Sequence, residues 1–158
     1  GAGALLAVVW WLALHGETRS LLAGFLAVTG LMAGAPLYYL AATGSVPAEG
    51  WALTYGCFAF FGGSVLRVKA VARERRSAAF RWLSAGVHLL FVLAAAGAAW
   101  LGWTSGLLAV ALTPPFLWAV YGARRAGNGP AANLGAVGMA EIWLTLLFAA
   151  LLILSVRF

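Results

Sequence analysis

The chain has 158 residues, of which 64% are hydrophobic and only 9% are charged, and its formal net charge is +6 at pH 7. Soluble domains carry about 25% charged residues, so the four acidic and ten basic side chains present here are too few to cover a water-facing surface. The composition therefore excludes a soluble globular domain and predicts an integral membrane protein.

Six apolar stretches follow one another and predict an all-α fold, a polytopic transmembrane bundle of about six helices. They cover residues 2–14, 20–43, 50–67, 82–103, 105–121 and 138–156. A helix needs about 20 residues to cross a bilayer. The second, fourth and sixth stretches supply them, whereas the first is short and Pro114 and Pro115 interrupt the fifth. No stretch alternates polar and apolar residues as a strand would, and open sheets do not lie in lipid.

The short first stretch suggests that the chain begins inside a helix. Gly1 stands where an initiator Met would, the sequence is apolar by Leu5, and no three-part signal peptide is visible. We therefore expect residues 1–158 to form a single transmembrane domain that is the C-terminal part of a longer protein.

Basic residues are concentrated in alternate connections between the predicted spans. One side of the membrane would receive Arg19, Arg67, Lys69, Arg73, Arg75, Arg76, Arg81, Arg124 and Arg125, and the other side only Arg157. Cytoplasmic loops carry the excess of Lys and Arg in membrane proteins. We therefore predict a multi-pass protein of the cell membrane, with its basic loops in the cytoplasm and its C-terminus outside.

The basic connection over residues 67–81 is a candidate anion-binding site. Lys69 and Arg73 would repel each other on a continuing helix, and Glu74 is the only acidic residue nearby. Such a cluster needs anions from elsewhere, and two interpretations stay open. One is a diffuse surface for lipid headgroups that fixes topology, and the other is a discrete pocket for a phosphate or diphosphate. The candidate residues are Arg67, Lys69, Arg73, Arg75, Arg76, Arg81, Arg124 and Arg125.

Four other ionisable side chains are candidates, namely His15, Glu17, His88 and Glu141. The first two lie at the cytoplasmic mouth of the first hairpin, and the last two lie within spans, where an ionisable residue is by default functional. The structural alternatives are a hydrogen bond from His88 to a neighbouring helix and an ion pair of Glu141 with Arg67 or Arg124. The sequence indicates no catalytic residue and no metal-binding cluster.

Several stretches resemble known membrane protein families. The run from Ser20 to Pro47, with its Gly-rich helix and Ala-Ala-Thr-Gly end, resembles the middle of UbiA-type prenyltransferases. The segments HGETRSLL, SVLRVKAVARERR, AGVHLLFVLAAAG and AVGMAEIWLTLLFAALLIL resemble the bacterial YwiC-like family. The resemblance implies a bacterial inner-membrane protein with a UbiA-like fold of about nine helices, of which this chain would supply the last six.

The resemblance also implies a site at the cytoplasmic mouth, where UbiA-type enzymes hold a prenyl diphosphate through Mg²⁺ and aspartates. This chain contains no aspartate, and Glu74 is the only carboxylate in the stretch that corresponds to the second aspartate motif. The first motif would precede Gly1. Because Mg²⁺ prefers carboxylate and phosphate oxygens, the sequence favours a protein that works without a metal cofactor.

Three functions stay open at this point. The first is a UbiA-like or YwiC-like protein without catalytic aspartates that binds an anionic lipid or isoprenoid phosphate at its arginine-rich mouth. The second is a Mg²⁺-dependent prenyltransferase whose metal motif precedes this chain. The third, which rests on His88, Glu141 and the double proline, is a small transporter or an accessory subunit of a membrane complex. Membrane lipids are the expected partners, and nucleic acid is not.

Overall fold

The computed structural model describes Trp11, residues 21–125 and residues 133–157, and all the regular structure in this part of the chain is α-helical. The helices are α1 (Leu21–Met32), α2 (Gly34–Thr43), α3 (Ala48–Ala72), α4 (Ala78–Trp100), α5 (Gly106–Arg125) and α6 (Leu134–Arg157). The prediction of an all-α fold is confirmed for these residues. Apart from Trp11, the predicted helix over residues 2–14 lies outside them, as do His15 and Glu17.

Four helical segments of the described residues are long and apolar enough to cross a membrane, as expected for a multi-pass membrane protein. They are Leu21–Thr43, Ala78–Trp100, Gly106–Arg125 and Gly135–Ser155. The first combines α1 and α2, which are separated only at Ala33. Pro36 explains this break, because it lacks the N–H that would bond to the carbonyl of Met32.

Helix α3 is long enough to span but is less apolar, because it carries several glycines together with Arg67 and Lys69. Its position in the bundle accounts for this composition. Among the described helices, α3 packs against all five others, so its neighbours shield it from lipid. The structure therefore has a helix where the sequence predicts a span over residues 50–67. The helix is longer at both ends, and it is not among the four segments that are apolar enough to cross.

Small residues on α3 allow α5 and α6 to approach it closely. A Cβ atom added at Gly56 would lie 2.8 Å from Leu108 of α5 and 3.1 Å from Leu152 of α6. One turn further, Phe60 stacks on Phe148 of α6 with ring centroids 4.3 Å apart. Both rings are almost completely buried, so this contact forms the centre of the apolar core.

The basic connection is shorter than the sequence predicted. Helix α3 continues to Ala72 and α4 begins at Ala78, which leaves residues 73–77 as the turn. The predicted start at residue 82 is wrong because Ser77 acts as an N-cap, and its hydroxyl accepts the N–H of Phe80 at 3.2 Å.

Helix α5 likewise extends past the predicted end at residue 121 and reaches Arg125. It continues through Pro114 and Pro115, although neither residue can donate a backbone hydrogen bond. The hydroxyl of Thr113 donates to the carbonyl of Ala109 at 2.9 Å, one turn before the prolines.

Candidate functional site

An ion pair joins α3 and α6 inside the bundle, near its basic end. Arg67 of α3 is only 3% exposed. Its Nε donates to Oε1 of Glu141 of α6 at 2.7 Å, and its Nη2 donates to Oε2 at 2.5 Å. This two-point geometry is the strongest arrangement that an arginine and a carboxylate can form. The pair is therefore held in one orientation inside the bundle.

His88 of α4 completes this buried cluster. Its Nδ1 lies 2.7 Å from the carbonyl oxygen of Ser84, and its Nε2 lies 2.9 Å from Nη1 of Arg67. A carbonyl can only accept and a guanidinium can only donate. We therefore assign the proton to Nδ1, and the ring is neutral, with Nε2 as the acceptor. Arg67 thus bridges Glu141 and His88 through separate nitrogens.

Two hydroxyl groups support Glu141 from either side. Ser64 Oγ donates to Oε2 of the carboxylate at 2.9 Å, and Thr145 Oγ1 donates to the backbone carbonyl of Glu141 at 2.7 Å. The carboxylate therefore receives three hydrogen bonds, and the positive charge of Arg67 compensates its negative charge. We name Ser64, Arg67, His88 and Glu141 the buried polar cluster.

The remaining cations of the predicted site form a second group at the same end of the bundle. We call this group the basic surface, and it consists of Lys69, Arg73, Arg75, Arg76, Arg81, Arg124 and Arg125. Arg81 connects its two parts, since its Nε donates to the carbonyl of Ala123 at 3.1 Å and its Nη1 donates to the carbonyl of Arg75. The end of α5 is thereby held beside the turn between α3 and α4.

Aromatic rings position two members of the basic surface. The Nζ of Lys69 lies 5.8 Å from the centroid of the Phe80 ring. The guanidinium of Arg125 lies 5.3 Å from the centroid of the Tyr121 ring, and its Nη1 donates to the hydroxyl of Tyr121. Tyr121 in turn stacks on Trp118, with centroids 5.2 Å apart. These cation–π contacts restrain the side chains without neutralising them.

The structure separates Arg67 from the other basic candidates and places it with His88 and Glu141. Arg67 was interpreted as an anion-binding residue of the basic connection, and that interpretation is corrected, because its guanidinium is buried and bound to Glu141 and His88. The contacts expected under the structural alternatives are present, because His88 is hydrogen-bonded to Arg67 of a neighbouring helix and Glu141 forms an ion pair with an arginine. Glu141 pairs with Arg67 rather than with Arg124, which lies exposed at the end of α5.

Sequence reasoning missed Ser64 and Ser84, although a signal for both was available. Ser64 precedes Arg67 by three residues and Ser84 precedes His88 by four, and residues at these spacings share one helix face. Ser84 contributes its backbone carbonyl to His88. Its own hydroxyl is buried and has no hydrogen-bond partner among the described residues.

Chemically, the two groups differ in what they can bind. The buried polar cluster is charge-compensated, and no three His, Cys, Asp or Glu side chains of the described residues lie close enough to hold a metal ion. The basic surface carries an excess of positive charge and so can accept an anion. No family model, curated protein or solved structure matches the chain, so the interpretation rests on this chemistry.

Proposed function

We propose that this protein is a multi-pass membrane protein whose basic surface binds a phosphate group carried by a membrane-embedded chain, either an anionic lipid headgroup or an isoprenoid phosphate. The observation that carries the proposal is the hydrogen bond that Arg81 donates to the carbonyl of Ala123. It holds the cations of the α3–α4 turn beside Arg124 and Arg125, which lie more than forty residues further along the chain.

The charge balance of this end supports the proposal. Between residues 67 and 125 the sequence contains one acidic residue, Glu74, and Glu141 is compensated by Arg67 inside the bundle. Within the described residues, the excess positive charge of this end is therefore available to an anion from outside the chain. Each Lys or Arg near an anionic leaflet gains about 1 kcal/mol, and a guanidinium can bind a phosphate through two parallel hydrogen bonds.

The orientation and the family are parts of the same proposal. The positive-inside bias places the basic surface in the cytoplasm and the C-terminus outside. A UbiA-like or YwiC-like origin would place a phosphate-binding mouth at this end. The absence of aspartate from the sequence favours direct binding of the phosphate by arginine over binding through Mg²⁺.

Native mass spectrometry of the purified full chain, with dioleoyl phosphatidylglycerol added in neutral detergent, tests the proposal. We expect tighter binding of this lipid than of dioleoyl phosphatidylcholine, and about fivefold weaker binding for each cation removed by Arg124→Gln or Arg125→Gln. Arg157→Gln removes the same charge from the end of α6 remote from Glu141 and serves as the matched control. Equal losses in all three variants would contradict the proposal.

Two further experiments distinguish a lipid headgroup from an isoprenoid phosphate as the ligand. Farnesyl diphosphate added without metal should compete with phosphatidylglycerol if an isoprenoid phosphate is the ligand, and should not compete if only headgroups bind. A gain in thermal stability that requires both farnesyl diphosphate and Mg²⁺ would support the alternative of a metal-dependent prenyltransferase. A bound ligand at 100 times its dissociation constant adds about 2.7 kcal/mol to stability, so the assay is sensitive enough.

A further inference from the structure

The ring of His88 is buried where α4 packs against α3, and both of its nitrogens are engaged. The residue is only 3% exposed. Its Nδ1 donates to the carbonyl of Ser84 on its own helix, and its Nε2 accepts from Nη1 of Arg67 on α3. This set of hydrogen bonds is possible only while the ring is neutral, because a protonated imidazole has no acceptor.

Protonation of the ring would turn its contact with Arg67 from attraction into repulsion. Nε2 would then carry an N–H directed at Nη1 of the guanidinium, 2.9 Å away, and both groups would be positively charged. Glu141 holds the other edge of the guanidinium through two hydrogen bonds. Because Arg67 is fixed in this way, the ring and its helix would have to move instead.

The surrounding charges would not compensate a second cation in the buried polar cluster. Among the described residues, the charged groups that face the ring are Arg67 of α3 and Glu141 of α6, and these two already form an ion pair. Helix α5 also packs against α4, but its charged residues, Arg124 and Arg125, lie in its last turn. A proton on His88 would therefore add an uncompensated charge inside the bundle, which is costly.

We propose that His88 forms a proton-sensitive contact that holds α4 against α3 at neutral pH and releases it on acidification. Nε2 takes up the proton from water when the helices separate, and the protonated ring then prevents them from closing again. An imidazole outside a folded interior takes up a proton at about pH 6.5. The closed contact is therefore favoured above this pH, and the open form gains below it. The inference concerns the helix contact and does not depend on the function proposed for the basic surface.

The reactivity of a thiol at position 84 tests the proposal on the full chain in neutral detergent. Ser84 lies one turn from His88 on the same face of α4, and its hydroxyl is buried. A reporter chain with Ser84→Cys and Cys57→Ala therefore carries one buried thiol beside the contact, which a small maleimide reaches when the helices separate. Each rate is divided by that of the denatured chain at the same pH. Between pH 7.5 and 5.5 we expect this ratio to rise about tenfold, the factor by which a proton bound at pH 6.5 favours the open form.

Two histidine variants of the reporter chain make the test specific. His88→Gln can still accept from Arg67 but takes up no proton, so its ratio should not change with pH. His15→Gln removes the other histidine of the chain and should keep the tenfold rise. Thermal unfolding of these two variants without the reporter substitutions is the second measurement, and acidification over the same range should lower the unfolding temperature of His15→Gln only.

Three results would overturn the proposal. One is a ratio that does not change with pH in the reporter chain, and another is a rise that persists in His88→Gln. The third is the loss of the rise in His15→Gln, which would assign it to the other histidine. If His88→Gln does not fold, His15→Gln decides alone, because His88 is then the only histidine of the chain and a rise that begins near pH 6.5 supports the proposal.

Discussion

Arg67 is kept in an apolar interior because each acceptor uses a different part of its guanidinium. Glu141 occupies the Nε and Nη2 edge, and the neutral ring of His88 accepts from Nη1. Removing two charges from a polar solvent is expensive, and a buried ion pair often contributes little net stability. We therefore infer that the pair, together with His88, specifies how α3, α4 and α6 fit together more than it strengthens the fold.

This interpretation predicts strong coupling between Arg67 and Glu141. Arg67→Met leaves the carboxylate of Glu141 buried without its counter-charge and should lower the free energy of unfolding by about 3–5 kcal/mol. The double variant Arg67→Met with Glu141→Leu replaces both charges with apolar groups and should recover most of that loss. Thermal or denaturant unfolding in detergent micelles measures both effects.

Lys69→Met is the matched control, because Lys69 lies on the same helix and its ammonium group contacts the ring of Phe80 at 5.8 Å. It should change stability by less than about 1 kcal/mol. The single variant Glu141→Leu completes the comparison. If the losses of unfolding free energy in Arg67→Met and Glu141→Leu added up to the loss in the double variant, the two residues would be uncoupled. The cluster would then have no role in specifying the helix arrangement.

At the level of helices, the close approach of α3 and α4 depends on one glycine. A Cβ atom at Gly63 would lie 2.7 Å from Nε2 of His88. The ring cannot move aside freely, since Ser84 fixes one nitrogen and Arg67 engages the other. Gly63 therefore provides the space in which the buried polar cluster is assembled.

Gly63→Ala should accordingly destabilise the protein by about 1–3 kcal/mol, the usual cost of an added methyl group in a packed interior. Gly86→Ala on α4 is the control, because a Cβ atom there meets nothing within 4 Å. It should be neutral or stabilising by about 0.5–1 kcal/mol. The same unfolding assay should find a smaller cost of Gly63→Ala in a His88→Ala background, and an undiminished cost would mean that the ring does not limit the approach.

The helices could be predicted from the sequence, whereas several of their ends could not. Apolar runs located α3, α4, α5 and α6, because burial in lipid requires such runs. Arg67 was expected to end a span, yet α3 continues past it, since Glu141 compensates its charge inside the bundle. The start of α4 at Ala78 could have been found, because Ser77 is a favourable N-cap residue.

The site was predictable only in part, because its central contact joins residues that are far apart in the sequence. Composition and spacing identified the cations and the two intramembrane residues His88 and Glu141. Whether Glu141 would pair with Arg67 or Arg124 depends on how α6 packs on α3, and the pair is separated by 74 residues. No local pattern encodes such a contact. His15 and Glu17 precede α1 and lie outside the described residues, so their position at the cytoplasmic mouth stays a prediction.

Across the whole molecule, the two ends of α3 differ in chemistry. One end adjoins an apolar cavity lined by Trp51 and Trp103, and the other adjoins the basic surface. Helix α3 contains 25 residues, which at 1.5 Å per residue is about 37 Å and exceeds the roughly 30 Å of a hydrocarbon core. If α3 crosses the bilayer, Ala48 and Arg76 lie on opposite sides of it.

The charge distribution then predicts which side is which. Cysteines introduced by Ala48→Cys and Arg76→Cys, each with Cys57→Ala to remove the native thiol, should respond differently to a membrane-impermeant maleimide applied to intact bacteria. Ala48 begins α3 at the end with few cations and is exposed, so its replacement should be labelled. Arg76 is exposed on the turn between α3 and α4, and positive-inside bias places that turn in the cytoplasm. Its replacement should be labelled only after the cells are permeabilised, which also controls for reactivity. The reverse labelling pattern would mean that the orientation is inverted and that the basic surface does not face cytoplasmic lipids. Labelling of both cysteines in intact cells would mean that α3 does not cross the membrane.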